Sequence, residues 1–218
     1  MCYRPVKILN PSRRWNFDAP KYLFVPCGKC ADCQRVKHNE WYFRCMIEYE
    51  DIKRVGGAVY FITLTYNEHD LPLFTTPDGV VHQGFCKRDI HNFIKYLRIY
   101  LKRQHLEHKG IKYLICSEYG SKTKRPHYHG LLFVPYHIPN FSKVMQTCWK
   151  HGFIICSKKG WEIVSPAGIR YASKYICKDF GYFDMLKPYM SDKFERKAFV
   201  KEFGDFLPRH WQSVGFGP

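Results

Sequence analysis

Two histidines flank a tyrosine at the start of an apolar segment, in the sequence His127-Tyr128-His129. Side chains alternate between the two faces of a strand, so the two histidines would point the same way, about 6–7 Å apart. Glu118 lies near the end of the preceding predicted strand, and antiparallel pairing would bring its carboxylate to the imidazoles. Two imidazoles and a carboxylate with open positions suit a divalent ion that also holds a phosphate oxygen. The alternative is a pair of strand histidines with ordinary hydrogen-bond partners.

A second pattern with chemical potential is the tyrosine pair in Tyr171-Ala172-Ser173-Lys174-Tyr175. Residues four apart share a face of a helix, so both hydroxyls would reach one site. Tyrosine can form covalent intermediates, but its pKa of about 10 makes it a weak nucleophile at neutral pH. A metal must therefore activate the electrophile, and a lysine such as Lys174 must meet the developing charge. The alternative is an amphipathic helix with two packed tyrosines.

Three of the ten cysteines form a cluster, Cys27, Cys30 and Cys33. CxxC spacing lets two thiolates share an ion, and a third cysteine three residues on could add to the set. The cluster could therefore hold structural zinc, while an iron–sulfur cluster or loosely buried thiols are the alternatives. Candidates for a fourth ligand are Cys2, His38 and Cys45.

Composition narrows the class of protein. The 218 residues include 45% hydrophobic residues, which is enough for a core and excludes disorder of the whole chain. No apolar run approaches the 18 or so residues of a membrane span, and the first residues lack the apolar segment of a secretory signal. The cysteines are therefore expected to be reduced thiols. A net charge of +16 with 17% aromatic residues suits single-stranded nucleic acid, and an unspecialised basic surface is the alternative.

The elements that must position these residues follow from hydrophobic periodicity and turn signals. We expect an irregular arm over residues 1–26. Helices are predicted over 33–50, 86–106, 141–150 and 166–178, strands over 58–66, 112–118, 127–134 and 152–157, and a loop or small hairpin around Pro77-Asp78-Gly79. Interspersed helices and strands with hairpin signals favour an α+β fold with a mostly antiparallel sheet.

Several of these segments resemble one superfamily. Arg125 to Gly130 resembles the HUH motif (histidine, bulky hydrophobic residue, histidine) of HUH endonucleases, and Phe61 to Tyr66 resembles their first motif. Tyr171 to Tyr175 resembles the two-tyrosine motif of the replication initiators of small single-stranded DNA phages. Pro26 to Cys33, followed by Arg35 and Trp41, further resembles the gokushovirus branch of the microviruses.

The resemblance implies a fold and a reaction. The fold would be a central antiparallel sheet of about five strands flanked by helices, of the ferredoxin or RRM-like type. The family nicks one DNA strand at the origin of rolling-circle replication, when a tyrosine becomes linked to the 5′ end and leaves a free 3′ hydroxyl for the host polymerase. A second tyrosine allows another nick after one round, so that the displaced strand is rejoined as a circle.

The resemblance also implies residue roles. His127, His129 and Glu118 would bind Mg²⁺ or Mn²⁺, Tyr171 and Tyr175 would be nucleophiles, and Lys174 would steady charge at the phosphate. The partner would be single-stranded DNA at an origin, in the cytoplasm of a bacterial host. Unwinding would fall to a host helicase, since the sequence contains no GxxxxGK[ST] loop.

The same interpretation divides the chain into three parts. Residues 1–50 would form an N-terminal arm with the cysteine cluster and a helix, residues 51–190 the HUH nickase domain, and residues 191–218 a C-terminal tail. Relatives commonly continue well beyond the tyrosine motif, so the C-terminal part is expected to be short, degenerate or absent.

Two other functions fit part of the pattern. One is a transposase or relaxase of the same superfamily, against which the phage-type cysteine cluster and the YxxKY spacing argue. The other is a non-catalytic, zinc-stabilised nucleic-acid-binding protein. That hypothesis explains the charge, the aromatic residues and the cysteines, but leaves the histidine and tyrosine pairs as coincidence.

Overall fold

A computed structural model of the chain describes residues 2–28, 30–107, 109–155, 160–177, 187–189 and 192–217. The helices are α1 (Ala31–Arg54), α2 (Lys87–Arg103), α3 (Phe141–Cys148), α4 (Pro166–Cys177) and α5 (Lys193–Phe203). The strands are β1 (Val6–Leu9), β2 (Tyr22–Val25), β3 (Ala58–Tyr66), β4 (Leu73–Thr75), β5 (Val81–Gln83), β6 (Lys112–Tyr119), β7 (Pro126–Val134), β8 (Gly152–Ile155) and β9 (His210–Gln212).

The centre of the molecule is a five-stranded antiparallel sheet in the order β8-β3-β7-β6-β9. This arrangement, with helices on both faces, confirms the predicted α+β fold. The register pairs Thr63 of β3 with His129 of the central strand β7, and Glu118 of β6 with His127. Since paired residues in adjacent strands project from the same face, these four side chains share one face of the sheet.

The two faces of the sheet bury different helices. On one face, Ile62 and Leu132 belong to a core that includes Leu97 of α2 and Met145 of α3. On the opposite face, residues of β3, β6 and β7 pack with α1 and α4, and this second core contains Trp41, Tyr49, Phe61, Leu131 and Ile169. The histidines of β7 project toward this second face, so they lie on the side that carries the tyrosine helix α4.

Two glycines turn the chain from α1 into the edge of the core. Gly56 has φ of +73°, a left-handed conformation that glycine adopts without a Cβ penalty. Its N–H donates to the carbonyl of Lys53 and the N–H of Gly57 donates to the carbonyl of Ile52, which is the Schellman pattern at a helix end. A Cβ on Gly57 would lie 2.3 Å from the carbonyl oxygen of Val134, so β3 begins in close contact with the end of β7.

Most predicted elements match the described ones, with two corrections. The predictions for β3, α2, β6 and β7 agree within a few residues at each end. The strand predicted over 152–157 is observed over Gly152–Ile155, and its remainder lies outside the described residues. The irregular arm predicted for residues 1–26 is wrong, because β1 and β2 pair there as an antiparallel ribbon. Strand β9, which extends the central sheet beside β6, was not predicted.

A further small cluster closes the molecule beside the β4–β5 hairpin. Phe74 of β4 packs there with Phe199 and Phe203 of α5 and with Leu207. None of the described helices combines the length and the apolar composition that crossing a membrane requires.

Candidate active site and metal centres

The first candidate site consists of Glu118, His127 and His129, and one ligand atom from each lies within 4.8 Å of the other two. The Oε2 atom of Glu118 is 3.3 Å from Nε2 of His129 and 3.9 Å from Nε2 of His127. The Glu118 side chain is only 4% exposed, while those of His127 and His129 are 19% and 11% exposed. The predicted meeting of these three residues is therefore confirmed, and the carboxylate lies at the buried end of the group.

The outer nitrogens of both rings are held by other groups. Nδ1 of His127 lies 3.1 Å from the carbonyl oxygen of Arg125, and Nδ1 of His129 lies 3.0 Å from the Thr63 hydroxyl. A carbonyl oxygen only accepts, so Nδ1 of His127 carries the hydrogen and Nε2 keeps its lone pair toward Glu118. This arrangement, in which Nδ1 is bonded elsewhere and Nε2 faces the centre, is the usual preparation of a histidine for a metal ion. The donor set thus fits a divalent cation.

The tyrosines of α4 lie against this group. The ring centroid of Tyr175 is 3.9 Å from that of His129, and its hydroxyl donates to the hydroxyl of Tyr171 across 2.6 Å. Phe61 of β3 stacks on both His129 and Tyr175, with centroid distances of 5.5 and 5.8 Å. Helical spacing therefore places both hydroxyls together, and the aromatic contacts place them beside the histidines.

The two tyrosines differ in environment. Tyr171 is 52% exposed, whereas Tyr175 packs on the core through Phe61. Burial, followed by the hydrogen bond to Tyr171, raises the pKa of Tyr175 well above its usual value, and the Glu118 carboxylate adds to the rise. Lys174 lies between them in the chain and is exposed to solvent.

The tyrosine helix is tied to α1. Nε2 of His38 lies 3.0 Å from the hydroxyl of Ser173, which is fully buried. One residue outside the tyrosine motif, the guanidinium of Arg170 lies 4.4 Å from the ring centroid of Tyr42. These two contacts fix the position of α4 relative to α1, and therefore the position of the hydroxyls relative to the sheet.

A hydrogen-bonded chain supports β7 from the opposite face. Tyr128 stands between the two histidines in sequence, and its hydroxyl pairs with that of Tyr66 at 2.9 Å. Tyr66 in turn donates to Asp89, whose other oxygen is 3.4 Å from His151. Burial raises the pKa of both tyrosines far above normal, so these hydroxyls stay protonated. The network holds the central strand from behind and leaves the histidine face to the site.

The second candidate site is the cysteine cluster, where the sulfur atoms of Cys2, Cys27, Cys30 and Cys33 lie within 4.8 Å of one another. Cys2 therefore supplies the fourth sulfur that the sequence left open. The other two candidates lie elsewhere, since Cys45 is buried in the core and His38 contacts Ser173. Backbone amides of Cys27 and Cys30 donate to the sulfurs of Cys2 and Cys27, both at 3.3 Å.

Polar contacts in this cluster favour a thiolate. Hydrogen bonds from the backbone of Cys33 and Tyr3 lower the pKa of the Cys30 thiol to about 6. Burial and the hydrogen bond with Cys30 raise the pKa of Cys33 to about 12. Four convergent sulfurs with amide donors behind them match the ligand set of a closed, tetrahedral zinc site.

Two supporting residues were not predicted as site residues. Thr63 and Phe61 belong to the segment that resembles the first family motif, yet the sequence assigned them only to a strand. Their contacts to His129 depend on the register between β3 and β7. The alternation of β3 offered a signal, because Phe61, Thr63 and Thr65 project from the same face as the histidines.

The fold and the site together define a class of protein. A five-stranded antiparallel sheet with His127 and His129 on its central strand, facing a helix with two tyrosines, is the architecture that a resemblance to HUH endonucleases implies. The family model for replication-associated proteins of the ORF2 type matches residues 59–180, more than half of the chain. The chain belongs to this family.

Two relatives come from phages. The chain is 38% identical to replication-associated protein ORF2 of Spiroplasma virus 4 over 149 residues, which cover 61% of this chain and 44% of that protein. It is 29% identical to replication-associated protein VP4 of Bdellovibrio phage phiMH2K over 142 residues, which cover 61% of this chain and 41% of that protein. The chain thus spans less than half the length of these relatives. No solved structure matches it significantly.

Proposed function

We propose that this protein initiates rolling-circle replication of a small phage genome by nicking single-stranded DNA through a tyrosine. The observation that carries the proposal is the contact between Tyr175 and His129, a residue of the Glu118, His127 and His129 group. Membership of the replication-associated family and the names of the two phage relatives support it. The net charge of +16 fits a polyanionic substrate.

The residues of the site would divide the work. Glu118, His127 and His129 would hold Mg²⁺ or Mn²⁺, and such an ion, when bound, polarises a phosphate oxygen and offsets its charge. Thr63 and the carbonyl of Arg125 would keep the two rings oriented. Lys174, on the solvent side of α4, would meet charge on the DNA.

The cleavage step exchanges one phosphodiester for another. A tyrosine oxygen forms a bond to phosphorus, the bond from phosphorus to the 3′ oxygen breaks, and that oxygen takes a proton to become a 3′ hydroxyl. The 5′ phosphate stays on the tyrosine, so the energy of the bond is kept for rejoining. Because the hydroxyls of Tyr171 and Tyr175 are 2.6 Å apart, the second tyrosine is already in place for a second exchange.

The partners follow from this reaction. The substrate would be single-stranded DNA at a replication origin in the cytoplasm of a bacterial host. The 3′ hydroxyl would serve the host polymerase, and a host helicase would separate the strands. In this proposal residues 51–190 form the nickase domain, residues 1–50 an N-terminal part built around the cysteines, and residues 191–218 a C-terminal tail.

We also propose that Cys2, Cys27, Cys30 and Cys33 bind a structural zinc ion. The protein would supply all four ligands, which leaves no open position for substrate. The ion would join the N-terminus to the first turn of α1, where Cys30 is the residue that precedes the helix. Its role would be to position residues, with no part in the cleavage step.

The proposal is tested by a covalent-adduct assay on a denaturing gel. Wild type, Tyr171→Phe, Tyr175→Phe and the double variant are mixed with manganese and labelled single strands that tile the source genome. We expect an adduct that a chelator prevents and that only the double variant lacks.

Two comparisons separate the nickase from a binding protein. His129→Ala should lose the adduct while keeping its affinity for single-stranded DNA, because it removes a ligand to the ion and no surface charge. An adduct that persists in the double tyrosine variant, or tight DNA binding without an adduct on any strand, would contradict the proposal. The second result would favour a non-catalytic nucleic-acid-binding protein.

A further inference from the structure

The ribbon formed by β1 and β2, with its connecting loop, exposes an unusual set of side chains. Tyr3, Trp15, Phe17 and Phe24 are 72%, 82%, 82% and 69% exposed, and Tyr22 is 41% exposed. Burying such rings is normally worth roughly 1.5–3 kcal/mol each, so leaving them in water calls for a partner. We name this element, residues 3–25, the N-terminal ribbon.

One face of the N-terminal ribbon combines rings with cations. The register pairs Lys7 with Phe24 and Leu9 with Tyr22, so these four side chains share a face. The ammonium of Lys7 lies 4.1 Å from the ring centroid of Tyr22. Tyr22 and Phe24 are two residues apart on one strand, which spaces their rings by about 7 Å along it. Aromatic rings on an exposed strand face are the platform on which proteins stack unpaired bases.

The loop of the ribbon repeats the combination at its tip. A 3₁₀ turn over Pro11–Arg14 carries Arg13 and Arg14 and leads directly to Trp15, with the Arg14 guanidinium 5.4 Å from the indole centroid. Asn10 orders this loop, because its side chain accepts from Ser12 N and donates to the carbonyl of Pro20. The exposed rings therefore stand on an organised turn.

We propose that the N-terminal ribbon binds single-stranded DNA by stacking bases on its rings and pairing phosphates with its cations. The inference rests on the proposed function, and it names the surface that holds the substrate outside the reacting centre. Charge selects this partner, since residues 3–25 contain the five cations Arg4, Lys7, Arg13, Arg14 and Lys21 against one acid, Asp18. An apolar protein partner would call for the rings without the cations beside them.

The base of the ribbon is fixed to the body that carries the site. Cys2 precedes β1 and Cys27 follows β2, and both belong to the four-sulfur cluster with Cys30 and Cys33 at the start of α1. His38, which contacts Ser173 on the tyrosine helix, is five residues further along α1, or about 8 Å at 1.5 Å per residue. A strand of DNA that leaves the tyrosines can therefore reach the ribbon within a few nucleotides.

The test measures affinity for a single-stranded oligonucleotide by fluorescence anisotropy, in the double Tyr171→Phe, Tyr175→Phe background so that nothing is cut. Trp15→Ala and Phe24→Ala should each raise the dissociation constant about 5- to 100-fold, the range for loss of one stacked base. Phe194→Ala is the matched control, because Phe194 is 83% exposed on α5, outside the ribbon, and should bind like the parent. Unchanged affinity in both ribbon variants, with melting temperatures like the parent, would overturn the inference.

Trp15 also provides a direct signal of contact. The other tryptophans, Trp41, Trp149, Trp161 and Trp211, are buried or partly buried, so Trp15 dominates the solvent-exposed emission. Single-stranded DNA should quench this emission, and Trp15→Phe should abolish the quenching while the affinity changes less than about threefold, since phenylalanine still stacks. Quenching that persists in Trp15→Phe would overturn the contact.

The two proposals fail in different ways. If the nickase proposal is wrong and the ribbon proposal is right, no adduct forms on any strand but the ribbon variants still lose affinity. If the ribbon proposal is wrong, adducts form and the ribbon variants bind DNA like the parent.

Discussion

The hydroxyl of Thr63 provides a sharp test of the proposed metal centre, because it touches a ligand without being one. Its Oγ1 atom lies 3.0 Å from Nδ1 of His129, whose Nε2 faces Glu118. Thr63→Val keeps the β-branched shape that suits β3 and removes only this partner. Loss of such an outer hydrogen bond typically weakens a metal site 10- to 100-fold, about 1.4–2.7 kcal/mol. A buried donor left unpaired costs about 1–3 kcal/mol, and His129 is 9% exposed, so the two ranges agree.

The measurement is a Mn²⁺ titration by calorimetry, with Thr65→Val as the matched control. Thr65 lies on the same strand and face, two residues away, but its hydroxyl donates to the carbonyl of Phe153 at 3.2 Å. We expect the dissociation constant of Thr63→Val to rise about 10- to 100-fold and that of Thr65→Val to change less than about threefold. Equal affinities in Thr63→Val and wild type, or equal losses in both variants, would refute the assignment of His129 as an oriented ligand.

Two further predictions concern zinc and packing. Cys2→Ser should lower bound zinc in reduced protein from roughly one ion per chain and lower the melting temperature. Cys86→Ser, a cap position of α2 outside the cluster, should keep its zinc, and full zinc in Cys2→Ser measured by mass spectrometry would count against the site. Gly57→Ala should lose about 2–3 kcal/mol of unfolding free energy in urea, since its Cβ would lie 2.3 Å from the Val134 carbonyl oxygen. Gly79→Ala, in open space with φ of +82°, should lose only about 1 kcal/mol, and equal losses would disprove the packing argument.

The sequence was most informative where local patterns decide the structure. The apolar run of β3 and the periodic helix α2 were predicted almost residue for residue, because burial on both faces and helical spacing leave one interpretation. The meeting of Glu118 with His127 and His129 also followed, since alternation and antiparallel pairing are enough to place them together. These are short-range rules applied to adjacent strands.

Features that depend on distant parts of the chain were not predictable. Cys2 joins Cys27 only because β1 and β2 pair, and short strands exposed on both faces lack the alternation that reveals a strand. The three residues of β9 carry no pattern of their own and are strands only because β6 offers an edge. The contact between His38 and Ser173 joins two helices 135 positions apart, and no local signal encodes it.

The central claim is that a tyrosine of α4 becomes covalently joined to DNA, and peptide mass spectrometry of a nicking reaction tests it most directly. Trypsin cleaves after Arg170, Lys174 and Lys178, so it places Tyr171 and Tyr175 in separate four-residue peptides. The account predicts a nucleotide mass on one or both of these peptides, formed with manganese and absent with a chelator. A nucleotide attached to any other peptide, or nicked DNA with no protein attached, would contradict it.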